Sequence, residues 1–235
     1  MTTEFLDGAA RDVLLLCDHA SNQVPGDIDL GVEARLLDLH IAIDIGAGPL
    51  TRALAAALDA PAFLGGVSRL VLDLHREPDH PNLVPESSDG HAIAGNIQID
   101  REERFQRFHV PYHDAIEGWI AAHRPRMILS IHSFTPKLEQ GGVDRPWHVG
   151  ILYNQDERAA RIAIRWLEAQ GLPTGDNEPY SGKLLNATLN RHAEAHGIPS
   201  IAIEVRNDLI RDEAGVAQWT EILIGLTAEL RAKLP

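Results

Sequence analysis

The stretch "VLLLCDHASNQVP", Val13 to Pro25, runs an apolar segment directly into an acid, a histidine, two small polar residues and an amide. Five apolar residues bounded by a turn signal read as a strand buried on both faces, the kind found inside parallel sheets. Polar residues close many strands, so Asp18-His19 gains meaning only if other strands end in the same way.

Working outward, "RMILSIH" (126–132), "WHVGILY" (147–153) and "PSIAIEVR" (199–206) repeat the pattern, and "SRLVLDLH" (68–75), after "APAFLG", alternates like a strand. Between them lie segments of helical composition over 32–58, 101–123, 156–170, 186–196 and 213–233. Within 32–58, Gly46 and Gly48 mark a break and Pro49 suits a helix start. In the last segment Val216, Trp219, Leu223, Leu226 and Leu230 share one face at three- and four-residue spacing. Strands alternating with helices predict an α/β fold with a mostly parallel central sheet flanked by helices. No repeat or linker interrupts it, so residues 1–235 are read as a single domain. Residues 77–99 form the longest loop-like stretch, and loops of that length in compact domains usually carry function.

Composition narrows the function. With 34 acidic and 21 basic residues the net charge is −13, and Lys/Arg form no run. Nucleic acid and anionic membrane surfaces are excluded as partners, since both need clustered positive charge. One cysteine, Cys17, allows neither an intrachain disulfide nor a thiolate cluster. The N-terminal "MTTEFLDGAARD" lacks the basic and apolar regions of a signal peptide, and no apolar run reaches the length of a spanning helix. A cytoplasmic location is therefore expected. Histidine is the outlier: twelve in 235 residues is about twice the share expected from ordinary composition.

Ligands of open α/β sheets bind at the carboxyl ends of the strands. There the sequence delivers Asp18 and His19, then Asp73, His75 and Arg76, then His132, then Glu204 and Arg206. His19 and His132 at separate strand ends, with carboxylates nearby, fit a catalytic zinc site of three protein ligands and one open position. Zinc lowers the pKa of bound water to about 7, and a neighbouring carboxylate can then carry the proton. Glu204, between Ile203 and Val205 late on a buried strand, suits that role; its alternative is an ion pair with Arg76 or Arg206.

The third ligand is less direct, because no HExxH or HxxE spacing occurs and the residue three beyond His19 is Asn22, a poor zinc ligand. Asp44 in "HIAIDIGAG" is favoured, as a carboxylate on the first helical segment facing the first strand's end. His40, one turn earlier, could replace it or orient it. His109 and His113 stand four apart, a metal-binding spacing without a matching acid. There is no GxSxG elbow, P-loop or GxGxxG. Ser130 and Ser133 flank His132 but are read as pointing away from it, which leaves a Ser–His–Asp triad as a minor alternative.

Nine pieces, in order, resemble the N-formylglutamate amidohydrolase family: "CDHASNQVP", "HIAIDIGAG", "SRLVLDLHR", "SDGHAIAGN", "PYHDAI", "IHSFTP", "RPWHVGILYN", "GDNEPYSG" and "IEVRNDLI". The likeness runs from about Leu14 to Trp219. It implies a zinc-dependent amidohydrolase whose α/β fold is related to zinc carboxypeptidases and cell-wall amidases. Carried over by motif, the metal ligands are His19, Asp44 and His132, and the acid–base is Glu204. The substrate-binding candidates are Asp73, His75, Arg76, Asn96, Asn177, Tyr180 and Arg206, with Glu178 at the rim. One departure stands out: the family's D-x-N-R segment reads "DLHR" here, with His75 in the Asn place. Arg76 keeps the bidentate carboxylate contact that guanidinium favours.

The expected activity is hydrolysis of the amide C–N bond of a small anionic N-acyl amino acid such as N-formylglutamate. Two alternatives remain: a non-catalytic binding protein of the same fold, and a zinc peptidase acting on short peptides or cell-wall fragments. The lack of a signal peptide disfavours a cell-wall substrate.

Overall fold

The computed structural model describes residues 3–141 and 143–234. Strand β2 (Val13–Cys17) is buried at every position, with Val13, Leu15 and Cys17 in one core and Leu14 and Leu16 in another. That division is the two-residue period of a strand covered on both faces. β6 (Met127–Phe134) and β9 (Ser200–Arg206) alternate in the same way. Met127, Leu129, Ile131, Ile201, Ile203 and Val205 enter the first core. On the other face Ile128 and Ala202 are apolar, and the following even positions turn polar as Ser130, His132 and Glu204.

With β1 (Thr3–Leu6), β3 (Ala62–Gly65), β7 (Val149–Leu152) and β8 (Thr174–Asp176), these strands form a seven-stranded sheet in the order β1-β3-β2-β6-β9-β7-β8. The pairs β3–β2, β2–β6, β6–β9 and β7–β8 are parallel; β1–β3 and β9–β7 are antiparallel. Helices α1 (Ala47–Leu58), α4 (Arg158–Ala169) and α6 (Glu213–Lys233) cover the first core. The second is covered by α3 (Val110–His123), α5 (Ala187–His192) and the long connections. The short α2 (Arg101–Arg104) runs through a π-helical turn, Phe105–His109, into α3. Among the described residues no helix is long and apolar enough to cross a membrane.

From β2 the chain passes through α1 to β3 on one side, while β6 lies on the other side. The strand order reverses there, so a crevice opens beyond the carboxyl ends of β2 and β6.

Two expected elements are corrected. Residues 32–46 are not helical beyond a 3₁₀ turn, Ala34–Asp38; α1 starts at Ala47, so Asp44 lies in the preceding loop. The loop is held by tertiary bonds, among them Asp44 N–H to the His19 carbonyl at 3.1 Å. Gly46 ends it with φ +82°, and a Cβ there would collide with the Ile210 carbonyl oxygen. Residues 68–75 form turns and no strand. Leu70, Val71 and Leu72 are all fully buried in succession, so the apparent alternation does not separate two faces. The loop over 77–99 contains only 3₁₀ turns (Pro81–Leu83, Ala94–Asn96) and a small hairpin, β4 (Ser87–Ser88) with β5 (His91–Ala92). The predicted 186–196 helix breaks into α5 and a 3₁₀ turn, Glu194–His196.

Candidate metal centre and active-site cavity

At the crevice the carboxyl ends of β2, β6 and β9 border a cavity of about 290 Å³. His19 follows β2, His132 lies on β6 directly opposite Glu204 in the β6–β9 register, and the Asp44 loop closes over them. His19 Nδ1 is 3.3 Å and His132 Nδ1 2.9 Å from the same oxygen, Asp44 Oδ2. All three residues are buried. Among the described residues they form one of two groups whose ligand atoms are close enough to share a cation; the other is Asp18, His75 and His132.

The outer nitrogens decide between the groups. His19 Nε2–H donates to Asp73 Oδ1 at 2.7 Å. His132 Nε2 lies 3.4 Å from Asp18 Oδ2 and 3.0 Å from Ser130 Oγ. Asp73 bonded to the far N–H of His19, and Ser130 with Asp18 close by at that of His132, turn both Nδ1 lone pairs inward, as outer partners of metal-ligating histidines usually do. Asp18 is already engaged: Oδ1 accepts from Tyr112 O–H at 2.8 Å and Oδ2 from His75 Nδ1–H at 2.9 Å. The His19–Asp44–His132 set therefore fits a divalent cation, with Asp18 and Asp73 as its outer carboxylates. Ser130 faces the same side as His132, which corrects the expectation that it points away.

Electrostatics agree. Burial resists ionisation of Asp18, Asp44 and Asp73, yet neighbouring imidazoles and, for Asp44 and Asp73, Arg69 hold all three below the usual carboxylate range. Burial also opposes charge on His19 and His132, but these carboxylates overcome it and raise both rings. The cluster draws positive charge. Glu204 behaves oppositely: burial first, reinforced by Asp44 and opposed by His132, pushes it up to about 7. Its Oε2 is buried without a hydrogen-bond partner.

Asp73, His75, Arg76 and Tyr180 also line the cavity. Arg206, Asn96 and Asn177 do not. Arg206 pairs with Asp208 at 2.7 Å; Asn96 ties down the Leu70 and Pro85 carbonyls; Asn177, at φ +53°, accepts from the Tyr153 and Gly182 amides. His40 is on the cavity wall but pairs with Asp89 at 3.1 Å, while Asn22 donates to Asp38 on the surface. His109 and His113 turn their Nε2–H groups to different carbonyls, of Arg76 and Leu74. Sequence reasoning missed Arg69, which bridges Asp44 Oδ1 at 3.1 Å and Asp73 Oδ2 at 2.9 Å. Its signal was a lone cation inside an apolar run, four residues before an acid.

The sequence model of the N-formylglutamate amidohydrolase family matches residues 11–211, and the chain belongs to that family. Membership supports a hydrolase acting on amide bonds. A crystal structure of a gene product of Agrobacterium tumefaciens is similar at 32% identity and TM-score 0.93, over 98% of this chain and 95% of that one. An N-formylglutamate amidohydrolase from Ralstonia eutropha JMP134 shares the fold at 18% identity and TM-score 0.71, covering 99% and 98%. A bacteriophage poly-gamma-glutamate hydrolase shares it more distantly, at 10% identity and TM-score 0.50, covering 99% and 91%. Among curated proteins no sequence match was found.

Proposed function

We propose that this protein is a metal-dependent amidohydrolase that cleaves the amide C–N bond of a small N-acyl amino acid, N-formylglutamate or a close relative. One observation carries the reading: two carboxylate-oriented imidazoles converge on Asp44 Oδ2 beside the unpartnered carboxyl of Glu204. His19, Asp44 and His132 would hold the cation, for which zinc suits the nitrogen and oxygen donors. When bound, it supplies Lewis acidity toward water and the amide carbonyl.

The chain's own groups do the rest. Glu204 takes one proton from the attacking water and returns it to the leaving nitrogen as the new C–O bond forms and the C–N bond breaks. A carboxyl near neutrality can do both. Arg69 balances Asp44 and Asp73 without occupying the centre. Arg76, with Nε 3.5 Å from Asp73 Oδ2, offers its guanidinium to the substrate's polar end.

The test is a screen of N-acyl amino acids for amine release by the zinc-loaded protein, with and without chelator. Chelator-sensitive release is expected. Ligand-induced stabilisation with no product would instead assign a binding protein, and unchanged release after metal removal would end the metal-dependent reading.

A further inference from the structure

His75 and Arg76 enter the cavity side by side on a backbone held from behind. His113 Nε2–H donates to the Leu74 carbonyl at 3.0 Å, and His109 Nε2–H to the Arg76 carbonyl at 3.2 Å. A buried imidazole thus grips the chain on each side of His75. The His75 ring is fixed as well, with Nδ1 2.9 Å from Asp18 Oδ2 and 3.0 Å from Thr188 Oγ1. The ionised Asp18 can only accept, so Nδ1 carries the proton, and in the neutral ring Nε2 then offers a lone pair. Among the described residues Nε2 has no hydrogen-bond partner, and the ring lines the cavity. Arg76 beside it can only donate, and its buried Nε, 3.5 Å from Asp73 Oδ2, makes no hydrogen bond.

The subsite therefore pairs one pure acceptor with one pure donor. We infer that it reads a carboxamide on the substrate, with the C=O toward Arg76 and the N–H toward His75, in preference to a carboxylate. A carboxylate would satisfy Arg76 and turn its second oxygen against the Nε2 lone pair. This rests on the amide-hydrolase reading and narrows its substrate class to N-acyl amino acids with one carboxyl amidated.

The experiment compares N-formylglutamate with its two monoamides, N-formylglutamine and N-formylisoglutamine, on the zinc-loaded protein. One monoamide is expected to exceed the diacid by about ten- to hundredfold in kcat/KM, the scale of leaving one enclosed acceptor facing another. In His75→Asn, whose amide can turn to donate, the preference should swing back toward the diacid. The diacid outrunning both monoamides on the unaltered protein would overturn the inference, whatever the variant does. If none of the three is hydrolysed, the hydrolase reading fails separately, and calorimetric binding of the same compounds decides. Tighter binding of a monoamide supports the subsite; equal or tighter diacid binding, or no binding at all, overturns it.

Discussion

Asp73 accepts from His19 Nε2–H and from Arg69, and also pairs with Arg76. Replacing it by Asn keeps the shape but removes the charge that sets the His19 tautomer. Zinc affinity of Asp73→Asn, measured by competition with a chromophoric chelator, should fall by about 10- to 100-fold; unchanged affinity would remove Asp73 from the site. Glu204→Gln should bind added zinc as tightly as the unaltered protein and lose about 10²- to 10⁴-fold in kcat. Because burial holds Glu204 up to about 7, its basic form disappears as pH falls through that value. The kcat/KM profile should show an acid limb at or below neutrality that the Gln variant lacks. His19, His132 and Glu204 were legible because each interrupts or ends an apolar run. The support given by Tyr112 and Thr188 was not, since the groups they hold lie far away in sequence: Tyr112 reaches Asp18 across 94 positions and Thr188 reaches His75 across 113.

At the scale of elements, the structure separates what periodicity can encode from what it cannot. α6 spans the predicted 213–233 because its apolar stripe meets the first core along its whole length. The loop before α1 read as helix because its composition is helical, but three bonds to other segments override local preference: Asp44 N–H to His19, Arg69 N–H to Ala42 and Ser68 O–H to Ala42. Strand β1 escaped notice as a four-residue edge that, among the described residues, pairs with β3 alone. Gly46 sits where this loop becomes α1, two residues after Asp44. Gly46→Ala should lower stability by about 1–3 kcal/mol, the cost of a strained left-handed residue, with a fall in Tm. Since the collision with Ile210 displaces the Asp44 loop, zinc affinity should drop along with it. A Tm loss with unchanged zinc affinity would show that the loop holds its place independently of the helix start.

For the whole molecule, buried titratable groups set the response of the metal-free protein to pH. His109, His113 and His192 are lowered to about 4, 2 and 4, burial being the main cause. Such rings stay neutral in the fold while the unfolded chain takes up protons below about 6.5. Stability is therefore lost as pH falls from there toward 4. His40 and His75 are lowered by burial too, and Glu204, with its raised value, is a single group working in the other direction. Above about 6.5 the raised rings of His19 and His132 take over: their contribution is complete below the unfolded value and lost as pH climbs through their folded ones. Tm of chelator-treated protein should peak near pH 6.5, and added zinc should raise it most on the alkaline side, where these nitrogens are free of protons. A Tm rising steadily to pH 9 without metal would contradict this assignment of charges.

His132 and Glu204 face each other across β6 and β9 in a single register. A slip of one residue would turn Glu204 into the apolar core and bring Ile203 or Val205 to the cavity. Misaligned and aligned chains would then hold nearly the same secondary structure, and only one would work. Recovered turnover after refolding thus counts correctly threaded sheets, which circular dichroism alone cannot distinguish. For this protein, assembling the catalyst and proofreading the fold are one event.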